Sequence, residues 1–156
     1  MSMIEIAPAD VLPLEQFALA WRFTDASRAD FAPTGLADLR PLRDRAAEAL
    51  EDRLLPVWAA HHEAAADGAV WFDAGADAEA SRAALAALPG AGAERVLVHW
   101  GLAVALETSW GTFVAHWDDF CYPGSDDVLV TPLTEAWVLC YHHWEEFSFA
   151  LAPPAP

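Results

Sequence analysis

The chain predicts an α+β domain: a mostly antiparallel sheet with a long helix in the N-terminal half, an Ala-rich helix and a Trp/Phe-rich helix packed on it. Three observations carry this. Leu39, Leu42, Ala46, Ala49, Leu50, Leu54, Val57 and Trp58 recur at helical spacing. The β-like runs Arg95–His99 and Ala103–Glu107 are separated only by Trp100-Gly101-Leu102, a hairpin spacing. The later apolar runs are short and closely connected, so neighbours pair antiparallel.

In chain order, the first expected element is a strand over Ala18–Thr24, short and aromatic, with Leu19, Trp21 and Phe23 alternating against smaller neighbours. The long helix runs from Leu39 to about Ala65, with Pro41 in its first turn and Asp67-Gly68 stopping it. Pro56 removes a backbone donor and disfavours helical geometry at Leu55, so a kink or a split is expected there. A short strand, Ala69–Phe72, precedes an Ala-rich helix capped by Asp77 and ending at Leu88, before Pro89-Gly90. After the hairpin, a helix over Ser109–Phe120 aligns Trp110, Phe113, Val114, Trp117 and Phe120 in one stripe, with Thr108 or Ser109 as cap. Val128–Thr131 and Trp137–Trp144 complete the set as strands. Residues 1–152 form one domain, and the tail Pro153-Pro154-Ala155-Pro156 cannot continue a helix or strand.

Charge narrows the function. The 156 residues hold eight arginines, no lysine and 24 acids, a net charge of −16. A nucleic-acid-binding surface needs the opposite sign, so DNA and RNA are not expected partners. Arg95 is the last cation, and residues 96–156 carry eight acids, a field that speeds encounter with a basic partner. No basic and apolar leader opens the sequence and no stretch has the length of a membrane span, so a cytoplasmic protein without membrane contact is expected.

Chemistry-bearing groups lack catalytic spacing. Cys121 and Cys140 read as packed thiols; Ser109 reads as a cap and Ser125 as a turn residue, with no nucleophile elbow or phosphate loop. His61-His62 and His142-His143 are adjacent pairs, whose members diverge in a helix or a strand. A metal site would need separate segments, such as His116 with His142 or His143 and Asp126 or Asp127; that set defines an alternative reading, a metal-assisted hydrolase. Otherwise no cofactor is expected.

The runs Glu107-Thr108-Ser109-Trp110-Gly111-Thr112-Phe113, Trp117-Asp118-Asp119-Phe120-Cys121-Tyr122-Pro123, Asp126-Asp127 and Trp137 through Glu146 resemble a family of small, largely uncharacterised bacterial single-domain proteins. That family has a W-x-x-F-x-x-x-W-x-x-F helix and an acidic turn. The resemblance covers residues 95–150, and proteins of this kind are similar to immunity proteins encoded beside secreted toxins. It implies a non-enzymatic acidic binding protein that neutralises a basic toxin surface. The expected contact residues are Asp118, Asp119, Tyr122, Asp126, Asp127, Trp144, Glu145 and Glu146, with Trp100 as a further candidate anchor. On this reading Asp126 and Asp127 are exposed turn acids that Asn can replace without loss of fold. A third reading is a structural or assembly subunit, whose charge serves solubility.

Overall fold

A computed structural model describes residues 3–63, 69–89, 92 and 94–151, with the side chains of 60–63 excluded. Its centre is a seven-stranded sheet in which every pairing is antiparallel. The strands are β1 (Arg40–Pro41), β2 (Val70–Asp73), β3 (Arg95–Gly101), β4 (Val104–Ser109), β5 (Val128–Pro132), β6 (Trp137–His142) and β7 (Glu146–Leu151). Their spatial order is β1-β4-β3-β5-β6-β7-β2. The α-helices among the described residues are α1 (Trp21–Thr24), α2 (Pro33–Asp38), α3 (Asp44–Glu63), α4 (Ala78–Ala86), α5 (Trp110–Ala115) and α6 (Trp117–Phe120). The α+β class expected from the sequence is what the chain adopts.

Helices cover both faces of the sheet. On one face, Ala47, Leu50 and Leu54 of α3 pack with Leu97, Ala105, Leu129, Val138 and Cys140. On the other, Phe23, Leu85, Trp110, Phe113, Trp117 and Phe120 join Val96, Val98, Leu106, Val130, Trp137, Leu139, Tyr141, Phe147 and Phe149. The two-sided cover explains why β6 reads as an unbroken apolar run: Trp137, Leu139 and Tyr141 face one layer while Val138 and Cys140 face the other. Cys121 and Cys140 are buried free thiols, and burial raises both, Cys140 to about 12, which removes thiolate reactivity.

The β3–β4 hairpin forms where the spacing predicts it, closed by Leu102 and Ala103 at φ 50° and 62°. The caps also hold: the Asp77 carboxylate accepts from the amides of Glu79 and Ala80, and the Ser109 hydroxyl accepts from Thr112 N–H.

Several elements differ from the sequence expectation. Ala18–Thr24 is not a strand: Trp21–Thr24 is one helical turn, in which Phe23 is buried and Trp21 is exposed, so the loose alternation was not a sheet face. The long helix begins at Asp44. Leu39 and Leu42 are buried in different clusters, and Pro41 sits in the two-residue edge strand β1, where its missing N–H does no harm. Of the kink or split expected at Pro56, the split does not occur, since α3 runs through it as one element. The aromatic helix instead breaks at His116, at φ −126° and ψ 26°, although all five stripe residues are buried. The last expected strand ends at His142, and a further strand, β7, follows a tight turn. The 153–156 tail and the Asp67-Gly68 stop lie outside the described residues.

Candidate functional site

The eight residues expected to contact a partner fall into three groups. Asp126 leaves the surface set altogether. It is 8% exposed and holds both terminal nitrogens of Arg22, at 2.5 and 3.2 Å, while accepting from Tyr122 N–H and Ser125 Oγ. Its carboxylate staples α1 to the segment after α6 instead of serving as the expected partner contact. Tyr122 is half-buried, lying beneath the Arg22 guanidinium at 4.1 Å and against the edge of Trp21. Trp100 is likewise no anchor, since its indole N–H donates to Phe120 O and its ring stacks on Phe120.

Asp118 and Asp119 open α6. Asp118 faces Arg82 at 3.7 Å, so a cation from the first half of the chain reaches it. Asp119 is half-buried, with His116 Nδ1 3.6 Å from its carboxylate. Burial, reinforced by the Asp118 charge, pushes Asp119 up to about 6. Burial pushes His116 down, and its ring stacks on Phe31 at 3.8 Å.

The remaining four residues come together at the turn between β6 and β7. His142 pairs with Glu146, leaving His143, Trp144 and Glu145 as a three-residue loop. Asp127 is tied to the base of this loop, accepting from His143 N–H and approaching His143 Nδ1 at 3.0 Å. Trp144 is half exposed and its indole N–H donates to Glu146 at 2.6 Å. Glu145 takes φ 68°, a left-handed conformation that three-residue loops normally give to Gly. Its backbone is held there, with N–H donating to His142 O and C=O accepting from Ala74 N–H. Among the described residues no arginine pairs with Asp127, Glu145 or Glu146.

Beneath the loop lies a layered stack. His142 is 1% exposed, sandwiched between Trp71 and Trp144 at centroid distances of 4.9 and 4.6 Å, and its Nε2 meets Ser148 Oγ at 2.9 Å. Trp71, on β2, was not among the sequence-predicted residues. Alternation in Val70-Trp71-Phe72 puts it opposite its neighbours, but only the register Trp71↔Ser148 places it beside His142.

The metal alternative does not assemble. His116 lies against Phe31, Asp126 is engaged by Arg22, His142 is packed between indoles and His143 turns outward to Asp127. Among the described residues no three His, Cys, Asp or Glu side chains converge as a metal would require. The side chains of His61, His62 and Glu63 lie outside the described residues. The β6–β7 turn carries an exposed indole and exposed carboxylates.

Comparison of the chain with known protein families, with curated proteins and with solved structures finds no match. Among the described residues no helix is long and apolar enough to cross a membrane.

Proposed function

We propose that the chain is a non-enzymatic acidic binding protein, an immunity-type inhibitor that covers a basic surface of a bacterial toxin domain. One observation carries the reading: a tight turn presents Trp144 to solvent between Asp127, Glu145 and Glu146, with Glu145 held in a left-handed conformation at a position that favours glycine. Non-Gly residues in that region are strained by about 1–3 kcal/mol, and Glu145 shares the conformation with Leu102, Ala103 and Glu135. An exposed Trp ringed by acids supplies an anchor with complementary charge for a Lys- or Arg-rich surface. The net charge of −16 would speed the encounter.

The reading is tested with the product of a neighbouring toxin gene, by following association with the full chain as salt is raised. Steering by exposed charges is screened over about 8 Å at physiological ionic strength, so the rate should fall steeply with salt. Glu145→Gln with Glu146→Gln should flatten that dependence. A rate indifferent to salt would overturn the reading.

A further inference from the structure

The two edges of the sheet are finished differently. At one end β1 is only two residues long, contains Pro41, and continues into a bridge between Leu42 and Val11, so the N-terminal segment covers it. Short length, proline and a covering segment are the usual protections of a sheet edge. At the other end β2 has no strand beyond it among the described residues. Its four residues contain no proline, and Val70 and Trp71 are 52% and 39% exposed. Half of its backbone N–H and C=O groups point away from β7, as in any antiparallel edge; the Asp73 carbonyl already accepts from Ser81 Oγ at 3.4 Å, which leaves the groups of Trp71 and the Asp73 N–H for a further strand.

Acids stand at this edge among the described residues. Asp73 lies on β2 itself, opposite Glu146, and Glu145 stands in the adjoining turn, where Ala74 N–H donates to its carbonyl. A second copy would bring a further net charge of −16 to this edge. Repulsion between two such chains disfavours self-association. A basic strand meets the opposite condition. Its main chain would complete the outward hydrogen bonds of β2, and alternate side chains would project onto the face that carries Trp71 and Asp73. Trp71 and Trp144 are each stacked on His142 yet exposed elsewhere, which leaves indole surface for a cation.

We propose that the free edge of β2 accepts an extended Lys- or Arg-bearing segment of the partner as an additional strand, its cations lying beside Trp71, Asp73 and Glu146. This rests on the basic-partner reading above and specifies how the partner docks.

The test uses the full chain and two capped peptides of about six alternating Lys and Val residues, the usual length of a strand. One has ordinary peptide bonds; the other is N-methylated throughout, which keeps the charge and removes every donor. Affinity is read by tryptophan fluorescence, and amide exchange is followed at residues 70–73. The expected result is protection of the outward β2 amides by the ordinary peptide, an affinity loss of about tenfold or more on N-methylation, and a further loss of a few-fold in Trp71→Ala. Equal, salt-sensitive binding of both peptides without exchange protection overturns strand addition while leaving the basic-partner reading standing. Failure of both peptides to bind at low salt overturns both. A concentration-dependent dimer that the Val70→Pro variant abolishes would assign the edge to a second copy and overturn the proposal as well.

Discussion

Arg22 and Asp126, separated by 104 positions in the chain, form a buried two-pronged ion pair, with Nη1 also 3.3 Å from Phe120 O. Arg22 Nε is buried without a hydrogen-bond partner among the described residues, so the guanidinium depends on this carboxylate. Removing one member of a buried pair leaves the other charge uncompensated, which costs about 3–5 kcal/mol. Asp126→Asn should therefore destabilise the fold by that order in chemical denaturation. Asp127→Asn, at a half-buried side chain whose amide oxygen can still accept from His143 N–H, should change stability little. Equal and small losses at both positions would mean that Arg22 finds other partners.

Trp117→Ala is expected to cost about 3–5 kcal/mol, the range for large buried aromatics. Trp117 is 5% exposed, packs edge-on to Phe147 and donates its indole N–H to Ala78 O, so truncation opens a cavity and orphans a carbonyl. Trp144→Ala removes a ring that is half in solvent and should cost clearly less. Denaturant midpoints of the two variants measure the contrast.

These two residues also mark what local pattern reveals. Trp117 was legible as core because a helical stripe places it there whether or not the helix breaks at His116; side-chain period survives a local kink. The β3–β4 hairpin and β6 were legible for the same reason, since length and turn chemistry are local. Asp126 was not, because nothing near it in sequence announces Arg22, and an Asp-Asp turn reads as solvent until its partner is known. β7 was not legible because Phe147, Phe149 and Leu151 follow directly on an acidic turn, which reads as the end of a sheet. Trp71 became part of the site only through β7, its pairing partner. Trp144, Glu145 and Glu146 lie together because a short loop keeps sequence neighbours together in space, whereas Asp127, 16 positions before His143, reaches the loop only through the β5–β6 pairing.

Asp119 should impose a measurable pH dependence. Its folded value of about 6 lies above the ordinary 3.8 because of burial, with Asp118 adding to the shift. The native state thus holds this proton more tightly than the unfolded chain. The stabilisation is fully present below about pH 4 and is lost as pH rises from about 4 to about 6. Asp119→Asn keeps a neutral group at all pH values. Melting temperatures of the variant and the parent should be similar near pH 4, with the variant melting higher near pH 7 by a few degrees. His116, which burial pushes down, contributes the opposite slope below its ordinary 6.5 and is present in both proteins. Parallel melting curves across this range would count against a raised Asp119.

Glu145 offers the sharpest separation of stability from recognition. At φ 68° its side chain is strained, whereas glycine adopts this conformation freely. Its backbone bonds to His142 and Ala74 survive substitution, and its side chain, which lies over Gly75, makes no ion pair or side-chain hydrogen bond among the described residues. Glu145→Gly should therefore leave the fold intact and stabilise it by about 0.5–1 kcal/mol after the added freedom of glycine in the unfolded chain is set against the relieved strain. The same change deletes one of the acids beside Trp144 and should weaken binding of a basic partner, mostly at its rim. A rim charge acts chiefly on the association rate, so the loss should appear there and shrink as salt is raised. Glu145→Gln is the control: it removes the charge but keeps the strain, so it should reproduce the binding loss without the gain in melting temperature. If Glu145→Gly gains stability and both variants bind a basic partner as the parent does, Glu145 has no recognition role and its strained conformation serves only the turn.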